Sequence, residues 1–159
     1  MRQVSLRLFP LLFALFVSNY VDRTNVAMAK LQMNHDLGLS NTAYGFGAGI
    51  FFFGYALFEV PSNLILARVG ARRWIARIMI SWGLATSAMV FVTTEWQFYA
   101  LRFLVGAMEA GFAPGVLYYL TLWFPETFRG RATSMLFVAS AMSGLVGAPF
   151  SGLILGHMD

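Results

Sequence analysis

Five apolar stretches, each about as long as a membrane crossing, constrain this chain more than any other feature of its sequence. A helix needs about 20 apolar residues to cross a hydrocarbon core of ~30 Å. Each stretch ends at charged residues, at proline or at a polar loop. The sequence therefore predicts an all-α, polytopic transmembrane helical bundle. The predicted spans cover residues 8–28, 42–66, 74–92, 97–123 and 132–155.

Composition supports a bilayer as the solvent and excludes several classes of function. Only 11% of the residues are charged and 58% are hydrophobic, whereas a soluble domain carries about 25% charged residues. No run of lysine and arginine exceeds two residues, which argues against nucleic-acid binding. Cysteine is absent, and His35 and His157 lie far apart in predicted loops, so we expect no metal site. No catalytic or cofactor-binding motif is visible, and we expect neither an enzyme nor a cofactor.

The distribution of basic residues predicts the orientation in the membrane. Cytoplasmic loops carry an excess of lysine and arginine, and the side opposite the basic loops has Lys30 alone. We therefore expect a multi-pass protein of the inner (plasma) membrane with a cytoplasmic N-terminus. Trp74, Trp96 and Trp123 fall at predicted span ends, as expected of an interfacial aromatic belt. The basic residues assigned to the cytoplasmic side are Arg2, Arg7, Arg68, Arg72, Arg73, Arg77, Arg129 and Arg131.

Polar residues, glycine and proline predict where the helices end and how they pack. Ser40 or Asn41 is a candidate cap for the second span, and Pro61 is expected to break that span late. Residues 67–73 and 125–131 are expected to form basic turns. Small residues recur at helix-contact spacing and predict close packing between helices. These pairs are Gly45/Gly49, Gly106/Ala110, Gly111/Gly115 and Gly152/Gly156.

Four ionisable residues stand inside apolar stretches: Asp22 and Arg23 in the first span, and Arg102 and Glu109 in the fourth. Each costs about 3 kcal/mol to insert, so we expect them to face the bundle interior or a watery cavity. A helical rise of 1.5 Å per residue puts Asp22 ~9 Å and Arg102 ~7.5 Å below the outer face. We therefore expect Asp22 to pair with Arg102.

The same helical geometry predicts different roles for Arg23 and Glu109. Arg23 points about 100° away from Asp22 around the helix and is left to bind an anion. Glu109 lies ~18 Å below the outer face, where desolvation disfavours the charged form of a carboxyl. A carboxyl that is neutral in one state and charged in another can carry protons. The alternative is that all four residues form a buried structural network.

Three further residues are candidates with a competing structural interpretation. Glu59, one turn above the basic loop of residues 67–73, is expected to pair with a loop arginine and hold the loop. Tyr20 lies three residues before Arg23 on the same helix face, and Tyr55 lies deep in the second span. Each tyrosine could line a cavity, although a single tyrosine in a span can equally be a packing residue.

Four stretches together resemble the anion:cation symporter family of the major facilitator superfamily, and most closely its bacterial carriers of aromatic acids, tartrate and sugar acids. They are residues 20–29 (YVDRTNVAMA), 54–74 (GYALFEVPSNLILARVGARRW), 101–115 (LRFLVGAMEAGFAPG) and 123–132 (WFPETFRGRA). The resemblance implies a twelve-helix fold in two six-helix halves, of which this chain would provide five spans of the N-terminal half. It implies import of a small organic anion with protons, driven by a proton gradient without a cofactor.

The resemblance also implies roles for individual residues. Asn63 and Ala67 stand where the superfamily loop usually has glycine and aspartate, which makes Glu59 the candidate substitute for that aspartate. The implied set is Asp22 and Glu109 for proton coupling, Arg23, Tyr20 and Tyr55 for the substrate, Arg102 as charge partner, and Glu59, Arg68, Gly70, Arg72 and Arg73 as the gating loop.

Two other functions remain open at this stage. A drug or metabolite antiporter of the same superfamily would need an intact Gly-Pro motif in the fifth span, but Ala148 separates Gly147 from Pro149. A membrane scaffold that transports nothing would not need four charges at matching depth. Because alternating access requires two halves, we expect the chain to be a fragment that needs its missing C-terminal half, or the product of a truncated or decayed gene.

Overall fold

A computed structural model of the chain describes residues 10, 12–15, 17–19 and 40–138. Within this part of the chain every element is helical and there is no strand, which confirms the all-α class. The described residues fall into two compact units, one of residues 40–119 and one of the remainder. The helices are α1 (described at 12–15 and 17–19), α2 (Asn41–Val69), α3 (Ala71–Ala88), α4 (Glu95–Glu109), α5 (Phe112–Trp123) and α6 (126–138).

Three helical segments among the described residues are long and apolar enough to cross a membrane. They are Thr42–Val69, Ala71–Phe91 and Glu95–Trp123. The second includes the 3-10 turn Met89–Phe91 that follows α3, and the third combines α4 and α5. They lie where the second, third and fourth spans were expected, whereas most of the first and fifth spans lies outside the described residues.

Helix α2 begins at a side-chain cap and passes through its proline. The Ser40 hydroxyl accepts a hydrogen bond from the backbone N–H of Ala43 at 3.0 Å, as expected of an N-cap. The expected break at Pro61 is wrong, because the helix continues to Val69. Proline removes one helical hydrogen bond, but the helix continues through it. Ser62, directly after Pro61, donates a hydrogen bond to the Ala110 carbonyl of the fourth span.

The junction between α2 and α3 is a single residue instead of the expected turn over residues 67–73. Gly70 has φ +95°, a left-handed conformation that costs about 1–2 kcal/mol for any residue with a Cβ. Its N–H donates to the Leu66 carbonyl at 2.9 Å and so satisfies the end of α2. Arg68 therefore belongs to the last turn of α2, and Arg72 and Arg73 belong to the first turn of α3.

The second expected turn, at residues 125–131, is also mostly helix. Only Phe124 and Pro125 interrupt the path from α5 to α6. Arg129, in the first turn of α6, donates through Nε to the Phe124 carbonyl at 2.9 Å and through a terminal nitrogen to the Thr121 carbonyl at 3.0 Å. Because these carbonyls lie at or just beyond the end of α5, the arginine caps that helix.

Helices α2 and α4 pack with their backbones in contact, and glycine permits the approach. A Cβ added at Gly54 would lie 2.6 Å from the Phe103 carbonyl oxygen, and one added at Gly106 would overlap the Phe51 carbonyl oxygen. Close packing at Gly106 is thus confirmed. The packing prediction for Gly45 and Gly49 stays a prediction, since among the described residues a Cβ at either position would meet nothing within 4 Å.

The interior of the unit of residues 40–119 is an apolar cluster between α2, α3 and α4. Phe51, Trp82, Ala85 and Val105 form this cluster, each at most 6% exposed. Large apolar side chains also cover the outside of α2, which is the distribution expected of a helix surrounded by lipid or by other spans. Those side chains are Phe46, Phe52, Phe53, Leu57, Val60 and Leu64, each more than half exposed.

Candidate functional site

The fourth span is broken between α4 and α5, at a position that combines a glycine with a proline. In an uninterrupted helix the Ala110 carbonyl would accept from the N–H of residue 114. Pro114 has no N–H, and its ring clashes with the carbonyl four residues earlier. Helix α4 accordingly ends at Glu109, and Gly111 takes φ +84° before α5 begins at Phe112. The fourth span predicted over residues 97–123 is therefore two helices instead of one, and Gly111 together with Pro114 is the sequence signal for the break.

Side chains from the two neighbouring helices hold this break. The Ser62 hydroxyl of α2 donates to the Ala110 carbonyl at 2.7 Å, which gives that carbonyl the partner that Pro114 cannot supply. The Trp74 indole N–H of α3 donates to the Ser62 oxygen at 2.9 Å. Gly111 lies against the same serine, and a Cβ added there would come within 2.9 Å of the Ser62 Cβ. Three helices therefore meet at one hydroxyl group.

The interfacial position of Trp74 stays a prediction, and its side chain makes two contacts inside the protein. It is half-buried, with its indole N–H engaged by Ser62 and its ring facing the Arg77 guanidinium at 4.7 Å. Arg77 also donates to the Met108 sulfur at 3.4 Å. An apolar ring with one polar group suits a wet interface, but it suits a buried hydrogen bond equally well. The sequence alone does not separate the two. Trp96 and Trp123 are exposed.

Glu109 is the last residue of α4 and is almost completely buried, at 1% exposure. A buried carboxylate is tolerated when it is paired, hydrogen-bonded or protonated. Its position directly before the break puts it at a point where the backbone leaves helical geometry. The predicted burial of the Glu109 side chain is thus confirmed.

Arg102 lies two turns before Glu109 on α4 and is half-buried. Its guanidinium carbon is 4.6 Å from the centre of the Phe51 ring of α2. A cation over an aromatic face is stabilised by about 0.5–2 kcal/mol, more when water is excluded. Phe51 could not be predicted as a neighbour of Arg102, because the pattern of one helix does not say which ring of another helix lies beneath a given side chain.

Tyr55 is partly buried and packs against the apolar cluster of Phe51, Trp82 and Val105. Its backbone lies at the closest approach of α2 and α4, where a Cβ at Gly106 would come within 3.1 Å of the Tyr55 nitrogen. These contacts are those of a packing residue, which is one of the two interpretations given for Tyr55 above. A role in substrate binding stays a prediction.

The expected gating-loop residues lie around the junction of α2 and α3. Arg68, Arg72 and Arg73 are exposed, and Glu59 is half-buried ten residues before the end of α2. Within the described residues no ion pair joins Glu59 to any of these arginines, so the pairing expected from the sequence is not seen there. Since Arg68 belongs to α2 and Arg72 and Arg73 belong to α3, the group divides between two helices.

Asp22, Arg23 and Tyr20 lie outside the described residues. The predicted pair of Asp22 with Arg102, the anion contact of Arg23 and the cavity position of Tyr20 therefore stay predictions. The described site consists of Glu109 and Arg102 on α4, the break that follows Glu109, and the groups of α2 and α3 that hold that break.

Comparison with known proteins identifies the family. The model of the Major Facilitator Superfamily matches residues 11–159, which is nearly the whole chain. The chain belongs to the Major Facilitator Superfamily. This is a family of membrane transporters and not of enzymes, and it agrees with the apolar helices described above.

Bacterial members of this superfamily are similar over almost all of the chain. NicT of Pseudomonas putida, provisionally named a metabolite transport protein, is 56% identical over 99% of this chain. A provisionally named tartrate transporter of Agrobacterium vitis is 50% identical over 98% of it. A quinolone resistance transporter of Acinetobacter baumannii is 47% identical, also over 98%. The matched segment is 36% of each relative's own length, so the chain spans about a third of these proteins.

Proposed function

We propose that this chain belongs to the N-terminal half of a proton-coupled symporter that imports a small organic anion across the inner membrane. The anion would be a carboxylate such as an aromatic acid, a dicarboxylate or a sugar acid. The similarity to a tartrate transporter and to a metabolite transport protein supports a small polar metabolite as substrate. The C-terminal half of the transporter would supply the other wall of the substrate cavity.

The burial of Glu109 is the observation that carries the proposal. Its carboxyl is 1% exposed in a segment long and apolar enough to cross a membrane, where an ionisable group is costly. A carboxyl in such a place can take up a proton when its surroundings change and release it when they change back. We propose that Glu109 carries the coupled proton together with Asp22 of the first span.

Arg102 supports the anion part of the proposal. A half-buried guanidinium held over the Phe51 ring keeps a positive charge inside the helical unit. A cavity with positive charge on its walls favours an anionic substrate over a neutral or cationic one. We propose that Arg102 balances Asp22, that Arg23 contacts the substrate carboxylate, and that Tyr20 and Tyr55 line the cavity.

The test is transport by the full-length protein that contains this chain, reconstituted in liposomes. A panel of aromatic, dicarboxylic and sugar acids is offered under an imposed pH gradient. Glu109→Gln is expected to abolish gradient-driven uptake of the transported acid while counterflow exchange continues, because exchange needs no net release of protons.

Glu95→Gln is the matched control for this experiment. Glu95 lies at the exposed first position of the same helix and accepts a hydrogen bond from Tyr99, so its loss should leave both transport modes intact. Gradient-driven uptake that persists in Glu109→Gln would refute the proton-carrier role.

An antiporter of drugs is the second candidate, favoured by the 47% identity to a quinolone resistance transporter. The same liposomes separate the two functions. A symporter accumulates an organic acid when the outside is acidic, whereas an antiporter expels a quinolone in exchange for entering protons. Proton-driven quinolone efflux without uptake of any acid would replace the symport proposal.

A further inference from the structure

We propose that Ser62 and Trp74 are positioning residues for Glu109. Their hydrogen bonds hold the break of the fourth span, so that the carboxyl stays buried at the end of α4. The transport consequence of this arrangement rests on the proton-carrier role proposed above. The positional claim concerns the break itself and can be tested separately.

The bond directions at the break are fixed by chemistry. A carbonyl oxygen can only accept and an indole N–H can only donate, so the single proton of the Ser62 hydroxyl must go to Ala110. Ser62 is 6% exposed, which leaves little access for water to replace either bond. Among side chains of this size, only the hydroxyl groups of serine and threonine both donate and accept strong hydrogen bonds.

The residues on both sides of Glu109 are fastened by neighbouring helices. Ala110, which follows it, is held through its carbonyl by Ser62 of α2. Met108, which precedes it, accepts a hydrogen bond at its sulfur from Arg77 of α3 at 3.4 Å. Trp74 joins the two contacts, since its indole N–H bonds to Ser62 and its ring faces the Arg77 guanidinium. The residues before and after Glu109 are thereby each bonded to a neighbouring helix, Ala110 through its backbone and Met108 through its side chain.

This arrangement explains how a span with a missing helical bond can hold one side chain in place. Without Ser62, the Ala110 carbonyl would lose the donor that replaces the N–H absent from Pro114. The torsion angles of Ala110 and Gly111 would then be free to change, and α4 could rotate relative to α5. Glu109 directly precedes Ala110 and Gly111. A change in their torsion angles would therefore let the Glu109 carboxyl group adopt more than one orientation.

The experiment compares Ser62→Ala and Trp74→Phe with Ser87→Ala in the full-length transporter. Ser87 is the matched control, since its hydroxyl donates to the Gly83 carbonyl of its own helix at 2.8 Å and joins no two helices. Ser62→Ala removes both hydrogen bonds of the hydroxyl group, and we expect it to slow gradient-driven uptake by at least about fivefold, the factor that one lost hydrogen bond represents. Counterflow exchange should fall much less. Trp74→Phe should act in the same direction with a smaller effect, and Ser87→Ala should change neither mode.

A second measurement reads the position of Glu109 without using transport. A hydrophobic carbodiimide modifies carboxyl groups inside membranes, and mass spectrometry gives the extent of modification of Glu109. We expect a different rate of modification in Ser62→Ala and in Trp74→Phe from that in Ser87→Ala. If Ser62→Ala does not insert, the test depends on Trp74→Phe, which keeps an aromatic ring at this position and removes the indole N–H together with the five-membered ring that carries it.

The outcomes separate the two proposals. Equal losses in both transport modes, or modification of Glu109 at the control rate in both variants, would overturn the positioning role. Normal gradient-driven uptake in Glu109→Gln would instead refute the proton-carrier role. In that case the modification rates still decide whether Ser62 and Trp74 position the carboxyl.

Discussion

Replacing Gly106 by alanine should weaken the contact between α2 and α4 by an amount that the structure allows us to estimate. The new Cβ would overlap the Phe51 carbonyl oxygen and lie 3.1 Å from the Tyr55 nitrogen. Both are backbone atoms, so the helices themselves must separate. Overpacking of this kind costs about 1–3 kcal/mol. Alanine recovers about 0.5–1 kcal/mol of helix propensity relative to glycine, which leaves a net loss of roughly 1 kcal/mol.

Gly49→Ala is the matched control, because a Cβ there meets nothing within 4 Å and only the propensity gain remains. The two variants should therefore differ by about 2 kcal/mol in the free energy of unfolding. The measurement is denaturation of the purified full-length protein in mixed micelles, followed by far-ultraviolet circular dichroism. Equal stability of the two variants would show that α2 and α4 do not approach as closely as described.

Two further experiments test the α2–α3 junction and the topology. Gly70→Ala should lower the free energy of unfolding by about 1–2 kcal/mol because alanine is strained at a φ of +95°. A Cβ would meet nothing within 4 Å at Gly70 or at the control position Gly130, so only the strain differs. Equal stability of Gly70→Ala and Gly130→Ala would contradict the positive φ at Gly70. The orientation is tested with single cysteines in a protein otherwise free of cysteine. Arg72→Cys should react with an impermeant maleimide only from the cytoplasmic side, and Thr93→Cys only from outside. The reverse pattern would refute the predicted orientation.

The helical fold could be predicted from the sequence because lipid admits few alternatives. Apolar length alone identified the three segments that the structure describes fully, and the polar residues before the second span identified its cap. The burial of Glu109 also followed from the cost of a charge in hydrocarbon. These predictions depend on one helix at a time, and its own residues decide them.

Features that depend on two helices could not be predicted in the same way. Pro61 and Pro114 look alike in the sequence, yet the first stands within an unbroken helix and the second follows a break. The difference lies in their surroundings. Gly111, three residues before Pro114, takes φ +84°, and the Ser62 hydroxyl of α2 donates to the Ala110 carbonyl that Pro114 leaves without a helical partner. The hydrogen bond of Trp74 could not be predicted for the same reason, because its partner belongs to α2.

Proton movement on addition of substrate tests the central claim most directly. Liposomes containing the full-length transporter are suspended in weakly buffered medium, the transported organic acid is added, and a pH electrode follows the outside. The wild-type protein should make the medium more alkaline as protons enter with the anion, and Glu109→Gln should abolish that signal while Glu95→Gln retains it. Equal alkalinisation by wild type and Glu109→Gln would contradict a coupled proton carried by this buried carboxyl.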